Sequence, residues 1–321
     1  MNTRNTAKTG LLMGFFLVVL CAVPRAVIAE DAPQLGETSQ SERGVCRAAI
    51  ESLTGDVYAE PSRWQALSLG TLFSEGWDEP WVSPPNGEGG APRQGWLNAA
   101  DGVFYRLGVA TFGYGNGAGS NSDQHTGGAT IYTPLSRRFE IQSDIPFVVS
   151  TQGHTNFGDL QITPRIILTE SKAVTQSFNL TIRTPTGDID NGNSMGTITP
   201  NYQFWTNWWK GLVLRGSLGM SIPYYHVGRS DARTSFVGNF AVGYYFTSHD
   251  RAPFGDLVGY ISTNLNQATD GRGPKTTTVT LTPGFRTYLG KNWYLLGGVE
   301  IPATSPKTFD YQVLSGLMLV F

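Results

Sequence analysis

The stretch TITPNYQFWTNWWKGLVLRGSLGMSI, residues 197–222, contains two segments in which apolar and polar side chains alternate, joined by the short turn WKG. A period of two places successive side chains on opposite faces of a β-strand. The stretch is therefore predicted to form an antiparallel hairpin with one apolar and one polar face. On its second strand the apolar face holds Leu212, Leu214, Leu218, Met220 and Ile222, and the polar face holds Arg215, Ser217 and Ser221.

The same alternation recurs from residue 102 onward and predicts an all-β fold of twelve strands. Short turns (SRR, ESKA, WKG, HDRAP, GKN) alternate along the chain with long loops such as GYGNGAGSNSD and GDIDNGNSMG. An even strand number with loops sorted in this way is typical of an up-and-down outer-membrane β-barrel. We expect strands near 102–113, 125–135, 138–149, 157–169, 174–185, 197–208, 211–222, 234–247, 254–266, 276–289, 292–302 and 309–321.

Composition supports a membrane location without membrane helices. Charged residues make up 15% of the 321 residues, against about 25% in typical soluble domains. The mean hydropathy of -0.17 excludes a bundle of membrane helices. A barrel satisfies both observations, because only every second residue of its strands faces lipid.

The first 29 residues are predicted to be a cleaved secretory signal. Arg4 and Lys8 precede the apolar run GLLMGFFLVVLCAV, and the small residues that signal peptidase reads end at Ala29. Cleavage removes three of the 23 basic residues and none of the 25 acidic ones, so the mature chain carries a net negative charge. This charge argues against nucleic acid as a partner, because binding to phosphates requires a basic patch. Cys46 then remains as the only cysteine and has no internal partner for a disulfide.

Aromatic residues cluster at the short turns and predict an interfacial girdle. Such rings sit where lipid meets water at the rims of membrane barrels. The members are Phe139 after SRR, Trp208 and Trp209 beside WKG, Tyr245 and Phe246 before TSHD, and Trp293 and Tyr294 after GKN.

The final stretch YQVLSGLMLVF, residues 311–321, is predicted to close the barrel against the first strand, because lipid leaves no unpaired strand edge. Its odd positions should face lipid, and its even positions, with Asp310 and Gln312, should face inward. Ending on Phe321 resembles the signature by which the barrel-assembly machinery recognises its substrates. That machinery, outer-membrane lipid and lipopolysaccharide are therefore expected partners.

Three prolines, Pro164, Pro200 and Pro283, fall inside the predicted strands. Each lacks the backbone donor that a strand ladder uses. We expect local β-bulges at these positions.

Residues 30–101 form a separate N-terminal segment. Its start, residues 30–44, is polar and expected to be disordered, and one short helix is expected around Arg63–Leu72. The tryptophans Trp64, Trp77, Trp81 and Trp96 indicate that the rest of this segment packs against another part of the protein. Either a plug inside the barrel or a small periplasmic cap satisfies this requirement.

Charged residues at inward positions are the candidate pore lining. Such a ring requires water or an internal network of ion pairs, because lone buried charges are costly. These charges either screen permeants or form ion pairs that brace a narrow barrel. Both remain open, because twelve strands is a number between those of barrels filled by side chains and those of open channels. The candidates are Arg138, Glu140, Asp144, Asp159, Arg165, Arg183, Arg215, Asp256, Arg286 and Glu300.

The stretch FGDLQITPRIILTESKAVTQSFNLTIRTPTGD, residues 157–188, resembles a family of outer-membrane transporters linked to phenol and other aromatic meta-cleavage pathways. GFRTYLGKNWYLLGGVEIP, residues 284–302, is similar to a later hairpin of the same family. The resemblance spans roughly residues 100–321. It implies passive passage of small molecules, including hydrophobic or aromatic ones, across the outer membrane.

Two other functions remain open at this stage. A barrel that binds a partner through its loops would be structural or adhesive. An outer-membrane lipid hydrolase would need a serine and an orienting acid or amide beside one of the histidines, which are His125, His154, His226 and His249. We expect no enzyme activity, no cofactor and no metal site.

Overall fold

The computed structural model describes residues 40–59, 61–118, 123–150, 155–189, 194–225, 233–251, 253–270 and 276–321. Its core is one antiparallel sheet of thirteen strands. The strands are β1 Leu107–Asn116, β2 Gln124–Pro134, β3 Phe139–Ser150, β4 Thr155–Phe157, β5 Gln161–Glu170, β6 Val174–Arg183, β7 Gly196–Trp209, β8 Leu212–Tyr225, β9 Ser235–Tyr245, β10 Gly255–Ala268, β11 Thr277–Gly290, β12 Trp293–Pro302 and β13 Tyr311–Val320.

The sheet closes into a barrel, because the first strand pairs with the last. Leu107 of β1 lies opposite Val320 of β13, and the register continues to Asn116 opposite Tyr311. The predicted twelve-stranded barrel is confirmed, with one addition: β4 has three residues and pairs with β3. The turns after β2, β5, β7, β9 and β11 mark what we call the short-turn end, and the opposite rim is the long-loop end.

The two faces of the strands follow the alternation of the sequence. Leu218 and Met220 of β8 are exposed on the outside, whereas Arg215 is fully buried inside. On β13, Val313 and Leu317 are exposed and Met318 is buried. This outer apolar surface is what a barrel in lipid requires. Asp310 precedes β13, is exposed, and donates its backbone N–H to Asn116 O at 2.9 Å.

The aromatic residues at the short turns divide between the two faces. Trp208, Trp209, Phe246 and Trp293 are exposed outside, as an interfacial girdle requires. The prediction that every aromatic residue at these turns belongs to the girdle is wrong, because at two of the turns the neighbouring ring points to the inner face of the sheet. The two inward rings are Tyr245 and Tyr294, which are 7% and 3% exposed.

The prolines do not produce the predicted bulges. Pro164 pairs with Ile141, Pro200 with Leu180 and Pro283 with Ile261 in unbroken register. Each strand residue of an antiparallel sheet directs its hydrogen bonds to one neighbour, so a proline there removes one bond while the register continues on both sides. The register shifts lie near the strand ends instead, at positions 167/169, 196/197, 206/209, 255/258 and 288/290.

The N-terminal segment differs most from expectation. Residues 40–44, expected to be disordered, begin the helix α1, Gln40–Thr54; residues 30–39 lie outside the described part of the chain. The expected helix at 63–72 is replaced by two 3-10 turns, Pro61–Arg63 and Leu69–Thr71. Contacts with the barrel override local helix propensity, because Leu67 exchanges two backbone hydrogen bonds with Glu170 of β5.

Side chains fix the end of α1 to the barrel. Arg106 donates from Nη1 to the carbonyls of Ser52 at 3.1 Å and Gly55 at 2.8 Å, which supplies partners that helix C-terminal carbonyls otherwise lack. The backbone of Arg106 also accepts a hydrogen bond from Phe321. Among the described residues, no helix has both the length and the apolar character needed to cross a membrane.

Candidate functional site

Residues 91–105, which comprise the end of the N-terminal segment and the first residues after it, lie inside the barrel. We call this stretch the luminal segment. Its backbone N–H groups donate to inward side chains of several strands: Leu97 to Tyr260 Oη at 3.0 Å, Ala100 to Asn239 Oδ1 at 2.8 Å, Gly102 to Gln203 Oε1 at 3.1 Å and Tyr105 to Glu140 Oε1 at 2.6 Å. A chain without secondary structure inside a protein requires such partners. The polar inner face of the barrel supplies them.

Trp96 is the central aromatic anchor of the luminal segment. Its ring stacks on Tyr260 with centroids 4.8 Å apart, and the guanidinium carbon of Arg215 lies 4.0 Å from the ring centroid. Gly243 provides the space, since a Cβ there would lie 2.5 Å from Trp96 Cη2. Stacking and cation–π contact each favour this position of the ring.

Arg165 and Glu140 form an ion pair in which both side chains are buried, being 1% and 0% exposed. Arg165 also donates from Nη2 to Val103 O at 3.0 Å and lies 5.4 Å from the ring of Phe104. Glu140 accepts the Tyr105 N–H. The pair therefore holds the luminal segment just before β1 begins. This explains why β1 begins at Leu107 rather than at residue 102.

Two further arginines act near the short-turn end: Arg93 holds the luminal segment, and Arg138 holds residues that precede it. Arg93 donates to Thr175 Oγ1 at 2.8 Å and lies 4.6 Å above the ring of Trp205. Burial lowers the pKa of Arg93, and the nearby Glu170 opposes that shift. Arg138 donates to carbonyl oxygens of Ser68 at 3.0 Å and Glu75 at 2.9 Å.

Gln94 bridges two arginines of the barrel wall. Its backbone carbonyl accepts from Arg215 Nη2 at 2.7 Å, and its side-chain oxygen accepts from Arg286 Nη1. Its side-chain nitrogen donates to Tyr294 Oη at 2.9 Å. Both arginines are fully buried. We call Gln94, Arg215, Arg286 and Tyr294 the Gln94 bridge.

A cavity of about 600 Å³ lies between the luminal segment and the long-loop end. Residues 95–101 line one side, and the wall is mostly amide and hydroxyl groups with the rings of Tyr105 and Tyr132. Two carboxylates of the wall reach it and are already hydrogen bonded. Asp144 accepts from Thr130 at 2.7 Å, and Glu300 accepts from Asn98 at 2.9 Å.

A second cavity, of about 500 Å³, opens at the short-turn end beside Pro92, Lys210 and Tyr245. The luminal segment passes from this cavity at Pro92 to the larger one at Gly95. Residues 93 and 94 thus lie between the residue that borders the cavity at the short-turn end and the one that borders the larger cavity. Their wall partners determine how firmly this part of the segment is held.

The ten candidate pore-lining residues fall into three groups. Asp144 and Glu300 line the larger cavity. Asp159 and Arg183 form an ion pair of 2.6 Å at the long-loop end, and Asp256 accepts from His249 in the turn after β9. The remaining five contact the luminal segment, the residues just before it, or each other: Arg138, Glu140, Arg165, Arg215 and Arg286.

Asp159 anchors the connection between β6 and β7. Its carboxylate accepts backbone hydrogen bonds from Gly187, Ser194 and Met195 at 2.8, 2.9 and 3.1 Å. Burial acts to raise the pKa of Asp159, but these hydrogen bonds and Arg183 outweigh it and hold the pKa below its usual value.

Four residues important to the lumen were not predicted from the sequence: Gln94, Asp101, Tyr105 and Tyr132. Asp101 accepts from Tyr132 Oη and lies 3.9 Å from Arg215 Nη1. The four tryptophans of the segment indicated packing but not the partners. Polar residues in a Gly- and Pro-rich stretch have no periodicity from which a direction can be read.

The histidines do not assemble a hydrolase centre in the described residues. His249 Nδ1 lies 2.7 Å from Asp256 Oδ2, and its ring stacks on Tyr288 with centroids 4.3 Å apart. His125 lies beside Tyr114 at 5.3 Å. The described contacts of both rings include no serine, and His154 and His226 lie outside the described residues.

Residues 100–313 match the model of the family described as "Putative MetA-pathway of phenol degradation". The chain belongs to this family. The match begins in the luminal segment and ends within β13, so it covers the barrel and confirms the resemblance seen in the sequence. A comparison with curated proteins gives no match.

A solved outer-membrane channel shares the fold. The COG4313 outer membrane channel from Pseudomonas putida F1 is 13% identical, with a TM-score of 0.54, and the alignment covers 71% of this chain and 99% of that chain. The NanC porin is 9% identical with a TM-score of 0.48, covering 67% and 98%. The KdgM porin is 10% identical with a TM-score of 0.45, covering 67% and 99%. At these identities the likeness concerns the fold.

Proposed function

We propose that this protein is an outer-membrane channel that passes small molecules passively and whose luminal segment regulates passage. The observation that carries the proposal is the position of the luminal segment inside the barrel, where residues 93 and 94 lie between the larger cavity and the cavity at the short-turn end and act as a partition. Membership of a phenol-degradation family supports it. The charged wall residues that contact the segment would set how readily it moves.

The proposed location follows from the outer surface and the order of the segments. Residues 1–29 would direct export and be removed, residues 30–101 would enter from the periplasm, and residues 102–321 would form the barrel. The apolar outer face would contact lipid and lipopolysaccharide. β13, followed by Phe321, would present the motif that the barrel-assembly machinery reads.

The lining of the larger cavity favours permeants that combine an aromatic ring with polar substituents. Tyr105 and Tyr132 offer ring contacts, and Gln161, Gln312 and Ser217 offer hydrogen bonds. Binding sites of this kind use apolar and aromatic contacts for affinity and a few polar groups for orientation. The family description is consistent with small aromatic compounds as permeants.

The proposal is tested by conductance across planar lipid bilayers. The refolded protein is compared with a variant lacking residues 30–98, and each must show the heat-modifiable electrophoretic mobility of a folded barrel. We expect stepwise currents that are clearly larger in the shortened variant, because the partition is missing. Swelling of liposomes in an isosmotic solution of arabinose, an uncharged solute that lipid alone retains, gives a second readout that does not depend on charge.

Silence of both folded proteins in both measurements would contradict the channel. Equal currents in the full-length protein and the shortened variant would support the channel function but contradict regulation by the luminal segment. An adhesive or structural barrel would give the first result, and so would a hydrolase.

A further inference from the structure

The Gln94 bridge has the donors of an anion site but holds a neutral residue. Arg215 and Arg286 lie on β8 and β11, and both donate to oxygens of Gln94. Arg286 makes no ion pair with any carboxylate in the described residues. Arg215 has Asp101 at 3.9 Å, which is itself part of the luminal segment. Two guanidinium groups thus converge on one uncharged side chain and one carbonyl.

Several donors at this bridge have no acceptor. Nε and Nη1 of Arg215 and Nε of Arg286 are buried without a hydrogen-bond partner, as is Tyr105 Oη nearby. Buried donors of charged groups without partners are costly. A carboxylate offers two oxygens and about four acceptor positions, and it matches the planar fork of a guanidinium. An anionic group would therefore satisfy this site better than Gln94 does.

Aromatic rings surround the same two guanidinium groups. Arg286 lies 5.4 Å from the ring of Tyr245 and 5.0 Å from that of Tyr294, and Tyr245 Oη accepts from its Nη2 at 3.1 Å. Tyr245 borders the cavity at the short-turn end, and Trp96 borders the larger one. A planar ring that carries a carboxylate would find both of its parts matched here.

The charges of the cavity wall do not favour a cation instead. Asp144 and Glu300 line the route from the long-loop end, yet each already accepts hydrogen bonds from neighbours. The buried side-chain groups without partners among the described residues are all N–H donors or hydroxyls. The buried donors of this lumen therefore lack hydrogen-bond acceptors, which an anion would supply and a cation would not.

We propose that Arg215 and Arg286 form a binding site for the carboxylate of a small aromatic acid, and that Gln94 occupies this site in the closed channel. A permeating acid replaces the two oxygens of Gln94 and so loosens the partition. This assignment of a permeant class rests on the proposed channel function. It adds a specific competition between the solute and one residue of the luminal segment.

The test uses the full chain in detergent micelles, with sodium benzoate as the probe and benzyl alcohol as its uncharged counterpart. Binding is measured by isothermal titration calorimetry and by the quenching of tryptophan fluorescence. We expect benzoate to bind at least about tenfold more tightly than benzyl alcohol. Gln94→Ala should bind benzoate several-fold more tightly than the wild type, because the competitor is shortened.

Arg286→Gln should weaken benzoate binding by at least about tenfold and leave benzyl alcohol unaffected. Lys307→Gln, in an exposed loop, removes the same charge and should change neither ligand. Gln94→Glu, which places a carboxylate permanently between the arginines, should weaken benzoate binding and reduce conductance. This variant and Gln94→Ala keep the test valid if Arg286→Gln fails to fold.

The proposal is overturned if Gln94→Ala binds benzoate no more tightly than it binds benzyl alcohol. It is also overturned if Lys307→Gln weakens benzoate binding as much as Arg286→Gln does. Conductance in potassium chloride separates this result from failure of the channel itself. A protein that conducts ions but does not prefer benzoate would support the proposed channel function and contradict the proposed carboxylate site.

Discussion

Replacing Glu140 by leucine is predicted to destabilise the folded barrel by about 3–5 kcal/mol, the cost of leaving one member of a buried ion pair without its partner. Arg165, 1% exposed at its side chain, would remain charged in the lumen. The backbone N–H of Tyr105 would lose the acceptor that it now reaches at 2.6 Å. The measurement is urea unfolding in detergent micelles, followed by tryptophan fluorescence.

A double-mutant cycle separates the ion pair from the other contacts of its members. Arg165→Leu removes the donor to Val103 O at 3.0 Å, so it is also expected to destabilise. The double variant should be less unstable than the sum of the single ones by about 2 kcal/mol or more, since no charge remains unpaired. A loss below about 1 kcal/mol in Glu140→Leu would refute the reasoning and imply that water reaches Arg165.

Three further predictions concern other parts of the molecule. Leu218→Arg, on the outer face of β8, should cost about 2–4 kcal/mol on insertion into vesicles, whereas Ser217→Arg, which faces the cavity, should cost less and alter conductance. Gly102→Ala should destabilise the folded barrel by about 2 kcal/mol or more in thermal unfolding, because Gly102 has a φ of 66° and an added Cβ would lie 2.6 Å from Phe204 C. Gly90→Ala, at a φ of 88° but in open space, should cost less in the same measurement. The lowered pKa of Asp159 means that its hold on the β6–β7 connection is complete above the usual value of 3.8 and is lost only as the pH falls through the lowered pKa. At pH 7, proteolysis of this connection should therefore be slow in the wild type and faster in Asp159→Asn, and an unchanged cleavage rate in that variant would contradict the anchor.

The barrel could be predicted from the sequence because each strand carries its own signal. In β8 the alternation of Leu218 with Ser217 fixes which side faces lipid, without reference to any distant residue. The same rule shows where the aromatic prediction went wrong. Tyr245 is the last residue of β9 and its ring points inward, so grouping it in the girdle with the exposed Phe246 ignored the period of two.

The contacts of the luminal segment could not be predicted in this way. Gln94 meets Arg215 across 121 positions of sequence and Arg286 across 192, and nothing in its immediate surroundings specifies either partner. The inward position of both arginines followed from strand alternation. What they bind depends on how an irregular chain enters a closed barrel, which no local pattern records.

In the proposed channel, the way the luminal segment is held would determine which solutes can release it. The barrel ladder closes through β1 and β13, whereas the segment is bound mainly through wall side chains, so it can move without breaking that ladder. Movement would remove the acceptors of Arg165, Arg215 and Arg286 at Val103 and Gln94. Each buried donor left without an acceptor costs about 1–3 kcal/mol. Opening is therefore unfavourable unless water or the solute supplies oxygen atoms at these positions, and a solute that carries a carboxylate supplies them best.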